Sequence, residues 1–205
     1  MITITNEDNI NLMARYADNH FDLAIVDPPY NLQRFRNGIG KNDRHKVKSN
    51  ADFNNEAPTN EYWDELFRVS KNQIVWGANN FVMPPSEYFL IWNKKQTVDN
   101  FASAEYAWVS MGLKKPAKVF DYGIHLHNHT DKIHPTQKPV PLYKFILKTY
   151  ANEGDKILDT HLGSGSIAIA CIDYNFDLTA CEKSEKHFID AQLWIKQHQS
   201  QTKLF

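Results

Sequence analysis

The chain has 205 residues, a length that suits one domain with room for a small insertion. Its 42% hydrophobic and 23% charged residues are those of an ordinary globular chain, and no apolar stretch is long enough to span a bilayer. A formal net charge of −1 leaves nucleic-acid partners open, because binding them needs only a local basic patch.

In chain order, Ile2 to Thr5 reads as a strand and Asp8 to Tyr16 as a helix with Leu12 and Met13 inward. Asp22 to Val26 is a strand whose apolar run ends at Asp27-Pro28-Pro29-Tyr30. Residues 31 to 58 lack periodicity and read as a long loop. Glu61 to Val69 is helical, with Trp63, Leu66 and Phe67 at helix spacing, and Gln73 to Trp76 is a strand closed by Gly77. Tyr88 to Trp92 and Ala104 to Met111 are further strands, and residues 113 to 136 read as polar, His-rich and irregular. Val140 to Tyr150 is a helix entered through a proline. Lys156 to Asp159 is a strand, followed by Gly163-Ser164-Gly165-Ser166 and a helix to about Tyr174. Leu178 to Cys181 is a strand, and Ser184 to Gln197 a closing helix. Strands alternating with helices predict a largely parallel sheet covered on both faces. Cys171 and Cys181 lie in apolar segments and read as buried thiols of a reducing compartment. The N-terminus lacks a signal-peptide apolar core, so the protein is expected to stay in the cytoplasm.

Two constellations carry chemistry. In the first, the prolines of Asp27-Pro28-Pro29-Tyr30 end a strand and hold the backbone extended. One carboxylate and one aromatic ring are thereby presented where open α/β sheets bind ligands. The carboxylate and a Pro carbonyl can accept from an amino group, and the ring can stack on a planar base; a bare Pro-Pro turn is the alternative. In the second, a strand ends at Asp159, a glycine-rich turn follows, and Glu182 ends the next strand. Glycines let the backbone approach a ligand, and an acid at that position suits a ribose diol. Gly163-x-Gly165-x-x-Ala168 also fits the dinucleotide fingerprint, which keeps a nicotinamide oxidoreductase as a rival reading. Against it, Asp159 would face a pyrophosphate with like charge, and only one strand follows. A nucleoside with a cationic tail fits better, and S-adenosylmethionine has that shape.

Taken together, these motifs resemble the amino-group DNA methyltransferases of the permuted beta arrangement, found in phages and bacteria. Asp27-Pro28-Pro29-Tyr30 is similar to their catalytic motif in its adenine-N6 form, and His134-Pro135-Thr136-Gln137-Lys138-Pro139 to the motif before the cofactor half. Asp159 to Ser166 is similar to their glycine motif and Glu182 to its ribose acid; Trp76 to Phe81 and Ala104 to Trp108 add to the likeness. The resemblance implies a Rossmann-like methyltransferase fold in a single domain, 1–205. Its catalytic half would span residues 1–92, a small inserted target-recognition segment 93–133, and the cofactor half 134–205. It implies methyl transfer from S-adenosylmethionine to the N6 amine of a flipped adenine in double-stranded DNA, with Asp27, Pro28, Pro29 and Tyr30 catalytic. Cytosine-N4 methylation, RNA methylation and a catalytically silent nucleic-acid-binding relative stay open.

By the same likeness, cofactor contacts come from Asp8, Asp27, His134, Thr136, Lys138, Asp159, Thr160, His161, Gly163, Ser164, Gly165, Ser166, Glu182 and Lys183. His161 departs from the usual Phe. Partners consistent with the family are double-stranded DNA, a second copy in a homodimer, and a cognate restriction endonuclease. Arg34, Arg36, Lys41, Arg44, Lys46 and Lys48, with Gly38 and Gly40 as hinges, read as a basic loop for phosphates. His125, His127 and His129 would share one face of a strand, but no Cys pair accompanies them and methyl transfer from a sulfonium needs no metal, so no metal is expected.

Overall fold

A computed structural model describes residues 1–30, 57–99, 102–128, 132–134 and 136–202. Its first half consists of β1 (Ile2–Asn6), α1 (Asn9–Met13), β2 (Phe21–Val26), α2 (Asn60–Val69), β3 (Ser70–Trp76) and β4 (Phe89–Asn93). Then come β5 (Ala104–Val109), β6 (Lys118–Asp121), α3 (Ile124–Asn128), α4 (Val140–Tyr150), β7 (Lys156–Asp159), α5 (Ser166–Tyr174), β8 (Asp177–Glu182) and α6 (Glu185–Thr202). The strands form one sheet in the order β1-β8-β7-β2-β3-β5-β4-β6. β5 alone runs against its neighbours; every other pairing is parallel.

The buried sequence of β2 explains its central place. Leu23 and Ile25 pack on one face with Leu142 and Ile146 of α4 and Ile167 and Ile169 of α5. Ala24 and Val26 pack on the other with Leu12 and Met13 of α1 and Leu66 and Val69 of α2. A period of two therefore serves two layers of helices at once, as a parallel sheet requires. Local signals set the helix ends. Thr59 caps α2 by accepting from the Tyr62 N–H at 3.4 Å, Pro141 sits in the first turn of α4, and Asn175 ends α5 at φ +58°.

Several boundaries and one region differ from expectation. Residues 113 to 136 are not wholly irregular: β6 pairs with β4 at the sheet edge and α3 follows. Four residues with Val119 60% exposed give too short an alternation to stand out in sequence. β5 ends at Val109, before Met111, because Met111–Leu113 coil into a 3₁₀ turn; Ser110 before it still bonds Gln73, by its N–H to the carbonyl and by its Oγ accepting from the Gln73 N–H, each at 3.0 Å. His125 and His127 lie on a helix, not a strand, where residues two apart do not face each other. His127 is buried with its Nε2 2.6 Å from the Gln137 carbonyl; His129 lies outside the described residues. Among the described residues no group of three or more His, Cys, Asp or Glu could hold a metal ion, and no helix is long and apolar enough to cross a membrane. Cys171 and Cys181 are both free and buried, and burial raises both thiols.

The topology fixes where a ligand can sit. From β7 the chain passes through α5 to β8 on one side; from β2 it passes through α2 to β3 on the other. The crevice between the carboxyl ends of β7 and β2 is thus the switch point, where open α/β sheets bind ligands.

Candidate active site

Acids stand at the carboxyl ends of neighbouring strands: Asp8 after β1, Glu182 on β8, Asp159 on β7 and Asp27 after β2. In front of them lies a cavity of about 600 Å³, within the range of small-molecule sites. All four residues of the Asp27–Tyr30 motif line it. So do Asp8, His134, Thr136, Lys138, Thr160, His161, Gly163, Ser164, Glu182 and Lys183. Asp159, Gly165 and Ser166 stand behind the wall. Arg34, Arg36, Lys41, Arg44 and Lys46 lie outside the described residues.

At one end of the cavity, the Glu182 carboxylate accepts from the Gly163 and Ser184 N–H groups, each at 2.9 Å, which fixes its plane. Asp8 caps α1 by accepting from the Ile10 N–H at 3.0 Å and pairs with Lys183 at 2.9 Å. Burial opposes the Asp8 charge, but these partners hold its carboxyl below the ordinary value. Asp159 is 2% exposed and accepts from the His161 N–H at 2.9 Å. Burial, with the Asp27 and Glu182 carboxylates nearby, pushes it up to about 7.

The glycine turn divides its work in a way the sequence did not reveal. Gly163, at φ +54°, lines the cavity. Gly165, at φ +80°, instead faces α6: a Cβ there would stand 3.1 Å from the Ile195 side chain. Its missing side chain serves helix packing, not ligand approach. His161 keeps the character of the aromatic it replaces. Burial pulls its pKa to about 4, so the ring is neutral at pH 7. Asn9 Nδ2 lies 3.1 Å from its Nε2 and Thr160 Oγ1 2.9 Å from its Nδ1, while Tyr62 stacks edge-on at 5.3 Å. Asn9 and Tyr62 line the cavity and were missed; Asn9 was within reach of the strand-end rule, while Tyr62 looked like an ordinary helix residue.

At the other end, the Tyr30 hydroxyl donates to Asp27 Oδ1 at 3.4 Å. The Lys138 ammonium donates to Asp27 Oδ2 and lies 3.3 Å from Glu105. Lys138, expected on the cofactor, thus pairs with two carboxylates, and Glu105, part of the Ala104 to Trp108 likeness, was not read as a site residue. The Tyr30 ring rests on the backbone of Gly77, which is at φ +65°, and beside Phe81 at 6.2 Å. A Cβ at Gly77 would run into that ring. Gly77→Ala should therefore lose about 1–3 kcal/mol of stability in denaturant melts and displace Tyr30, with a larger effect on capture of a stacked base than on cofactor affinity. Unchanged stability and base capture would show that the ring can move without consequence.

Residues 51–192 match the model of a family of N6/N4 DNA methylases. The chain is 26% identical to the type II methyltransferase M.HpaI of Haemophilus parainfluenzae, over 81% of this chain and 65% of that protein. It is 23% identical to M.BglII of Bacillus subtilis, over 91% of this chain and 66% of that protein. It thus spans about two thirds of the length of these curated relatives. Among solved structures, the M1.HpyAVI–SAM complex superposes with a TM-score of 0.61 at 18% identity, covering 95% of this chain and 100% of that one. The cytosine-N4-specific PvuII DNA methyltransferase superposes at 0.56 and 11% identity, covering 93% and 86%. At such identities the structural likeness speaks for the fold alone.

Proposed function

We propose that this chain, which belongs to the family of N6/N4 DNA methylases, transfers a methyl group from S-adenosylmethionine to the exocyclic amine of a base flipped out of double-stranded DNA, with adenine N6 as the acceptor. One observation carries the reading: a single cavity joins a carboxylate-and-tyrosine pole, Asp27 with Tyr30, to a second carboxylate, Glu182, held by two backbone N–H groups.

The donor set suits the cofactor. Glu182 is oriented to accept from a ribose diol, Gly163 leaves room beside it, and the carboxylates of Asp8 and Asp27 on the lining, with Asp159 behind it, favour a cation. When bound, S-adenosylmethionine supplies an electrophilic methyl group on a sulfonium. The chain supplies everything else. Tyr30 offers a face to the flipped base, whose unstacking costs a few kcal/mol. Asp27 Oδ1 and the Pro28 carbonyl accept from the amine and draw its lone pair out of the ring, so the acceleration comes from orientation and electrostatics. Both cysteines are buried with raised thiols, which agrees with direct transfer rather than a covalent cysteine intermediate.

Asp in the first place of the motif supports adenine over cytosine. In the segment 93–133, β5 and β6 belong to the sheet, so target reading falls to the stretches around them and to the basic run after Tyr30. A cognate restriction endonuclease belongs to the same proposal, supported by the type II names of the relatives; a homodimer and a cytoplasmic location are carried with it from the resemblance alone. The test is to incubate a plasmid library with the chain and labelled cofactor, identify methylated nucleosides by mass spectrometry, and map them at base resolution. N6-methyladenine is expected. N4-methylcytosine would overturn the choice of base, and no methylated nucleoside would overturn the transfer itself.

The shift at Asp159 gives a pH dependence. Its folded-state value, about 7, lies above the ordinary 3.8, so native protein holds a proton there through the window between them. That proton stabilises the fold below the folded value, and the benefit fades as pH rises through the window. A cationic ligand favours the ionised form, so affinity for S-adenosylmethionine should rise as pH passes upward through about 7. Calorimetric titration at pH 6 and pH 8 would show a gain that Asp159→Asn abolishes; equal affinities in the native chain would remove Asp159 from the site's electrostatics.

A further inference from the structure

The most unusual group in the site is a lysine. Lys138 is 4% exposed, and its ammonium donates to Asp27 Oδ2, lies 3.3 Å from Glu105 and sits 5.3 Å from the centroid of the Trp76 ring. Glu105 is in turn paired with Lys94 at 2.6 Å. Charges thus alternate along a row: Asp27, Lys138, Glu105, Lys94. Three separate elements meet here. Asp27 follows β2, Lys138 precedes α4, and Glu105 arrives at this edge only because β5 runs against the other strands.

We propose that Lys138, braced by Glu105, is a positioning residue for Asp27: it occupies Oδ2 and leaves Oδ1, beside the Tyr30 hydroxyl, as the oxygen presented to the target amine. The proposal rests on the methyl-transfer reading above and assigns Lys138 to the motif carboxylate instead of the cofactor.

The physical need is plain. A carboxylate has two equivalent oxygens and a free torsion; a cation fixed on one of them sets the direction of the other. Asp27 also stands in a hostile place for a negative charge. Glu105 of β5 and Asp159 of β7 are acids that act on it or that it acts on, Tyr30, Tyr62 of α2 and Tyr143 of α4 feel its charge, and among the described residues Lys138 is the one cation acting on it. Burial pushes the Asp27 carboxyl up, and the Lys138 ammonium is what opposes this. Burial also opposes the charge on Lys138, but the Asp27 and Glu105 carboxylates outweigh it and hold the proton on the lysine. Burial opposes the charge on Glu105, and Lys138 first, then Lys94, keep it ionised; Lys132 lies near enough to feel Glu105 in turn. A protonated Asp27 would present a donor where the amine needs an acceptor.

Lys138→Met, Lys138→Arg and Glu105→Gln separate this from a purely structural role. Two readouts are used on the full chain: single-turnover methyl transfer against pH at saturating cofactor, and the carboxyl carbon-13 resonance of Asp27, assigned with Asp27→Asn and titrated without DNA. Loss of an opposite charge in contact should raise the Asp27 titration and the acid limb of the rate by about 1–3 pH units in Lys138→Met. Lys138→Arg should return both toward the native position. Glu105→Gln removes a like charge and should move both the other way, downward. A structural role would lower the rate in each variant without shifts of opposite sign. An Asp27 titration that stays put in Lys138→Met overturns the proposal, all the more if cofactor affinity collapses instead. If the native chain methylates no DNA, the functional reading fails, while the carboxyl titration still decides whether Lys138 controls Asp27.

Discussion

Single-turnover methyl transfer should fall by about 10²–10³-fold in Asp27→Ala, the scale of removing one preorganised hydrogen-bonding group from a reacting centre. Affinity for S-adenosylmethionine should change far less. The Asp27 oxygen acts most strongly as the amine nitrogen gains positive character, so the loss belongs to turnover and not to binding. The Ala variant also leaves Lys138 with Glu105 as its remaining carboxylate contact, so Asp27→Asn, which keeps an oxygen in place, is the better-behaved comparison. Labelled methyl transfer to adenine-containing duplex, with 2-aminopurine fluorescence reporting base flipping, measures both effects. Near-native transfer by the Ala variant would remove this motif from the chemistry.

Glu182→Ala should weaken S-adenosylmethionine binding by about 1.5–3 kcal/mol, the value of a lost hydrogen bond to a charged group, or roughly 10–150-fold in affinity. The carboxylate does two things at once: it accepts from the Gly163 and Ser184 N–H groups, and it faces the cavity with its remaining lone pairs. Removing it loosens the glycine turn as well as deleting the ribose partner. Glu182→Gln keeps one carbonyl oxygen and should fall between the two. Calorimetric titration of the three proteins decides this, and unchanged affinity in the Ala variant would place the cofactor elsewhere.

How far these features were legible depends on whether their cause is local. Asp27, Asp159 and Glu182 each follow or end a run of apolar strand residues, and a polar group at such an end is visible in a few consecutive positions. Helix α4 shows its buried face at helix spacing from Leu142 to Tyr150, α5 is bounded by Gly165 and Asn175 at positive φ, and both stand where the pattern puts them. Glu105 lies in the stretch that added to the likeness, but nothing local marks it as a partner of Lys138. Its place depends on β5 entering the sheet between β3 and β4 in the reverse sense, a fact of strand order that no window of sequence contains. Lys138 was visible as a motif residue, but its partners are 111 and 33 positions away, so the motif suggested a ligand contact where the fold makes an ion pair. The role of Gly165 was misread for a similar reason: its neighbour Ile195 belongs to the last helix. β6 was too short and too exposed to show an alternation.

β1 lies in parallel beside β8, and Asn6 donates to the carbonyl of Glu182, 176 positions further along. This pairing has a consequence for biosynthesis. The cavity takes Asp8 and Glu182 from elements far apart in sequence, so it cannot form before β8 has been synthesised. β1 must wait with an unpaired edge until β8 emerges, and such non-local closure is among the slow steps of folding. The Asp27 motif is therefore synthesised well before the far wall of the cavity it faces.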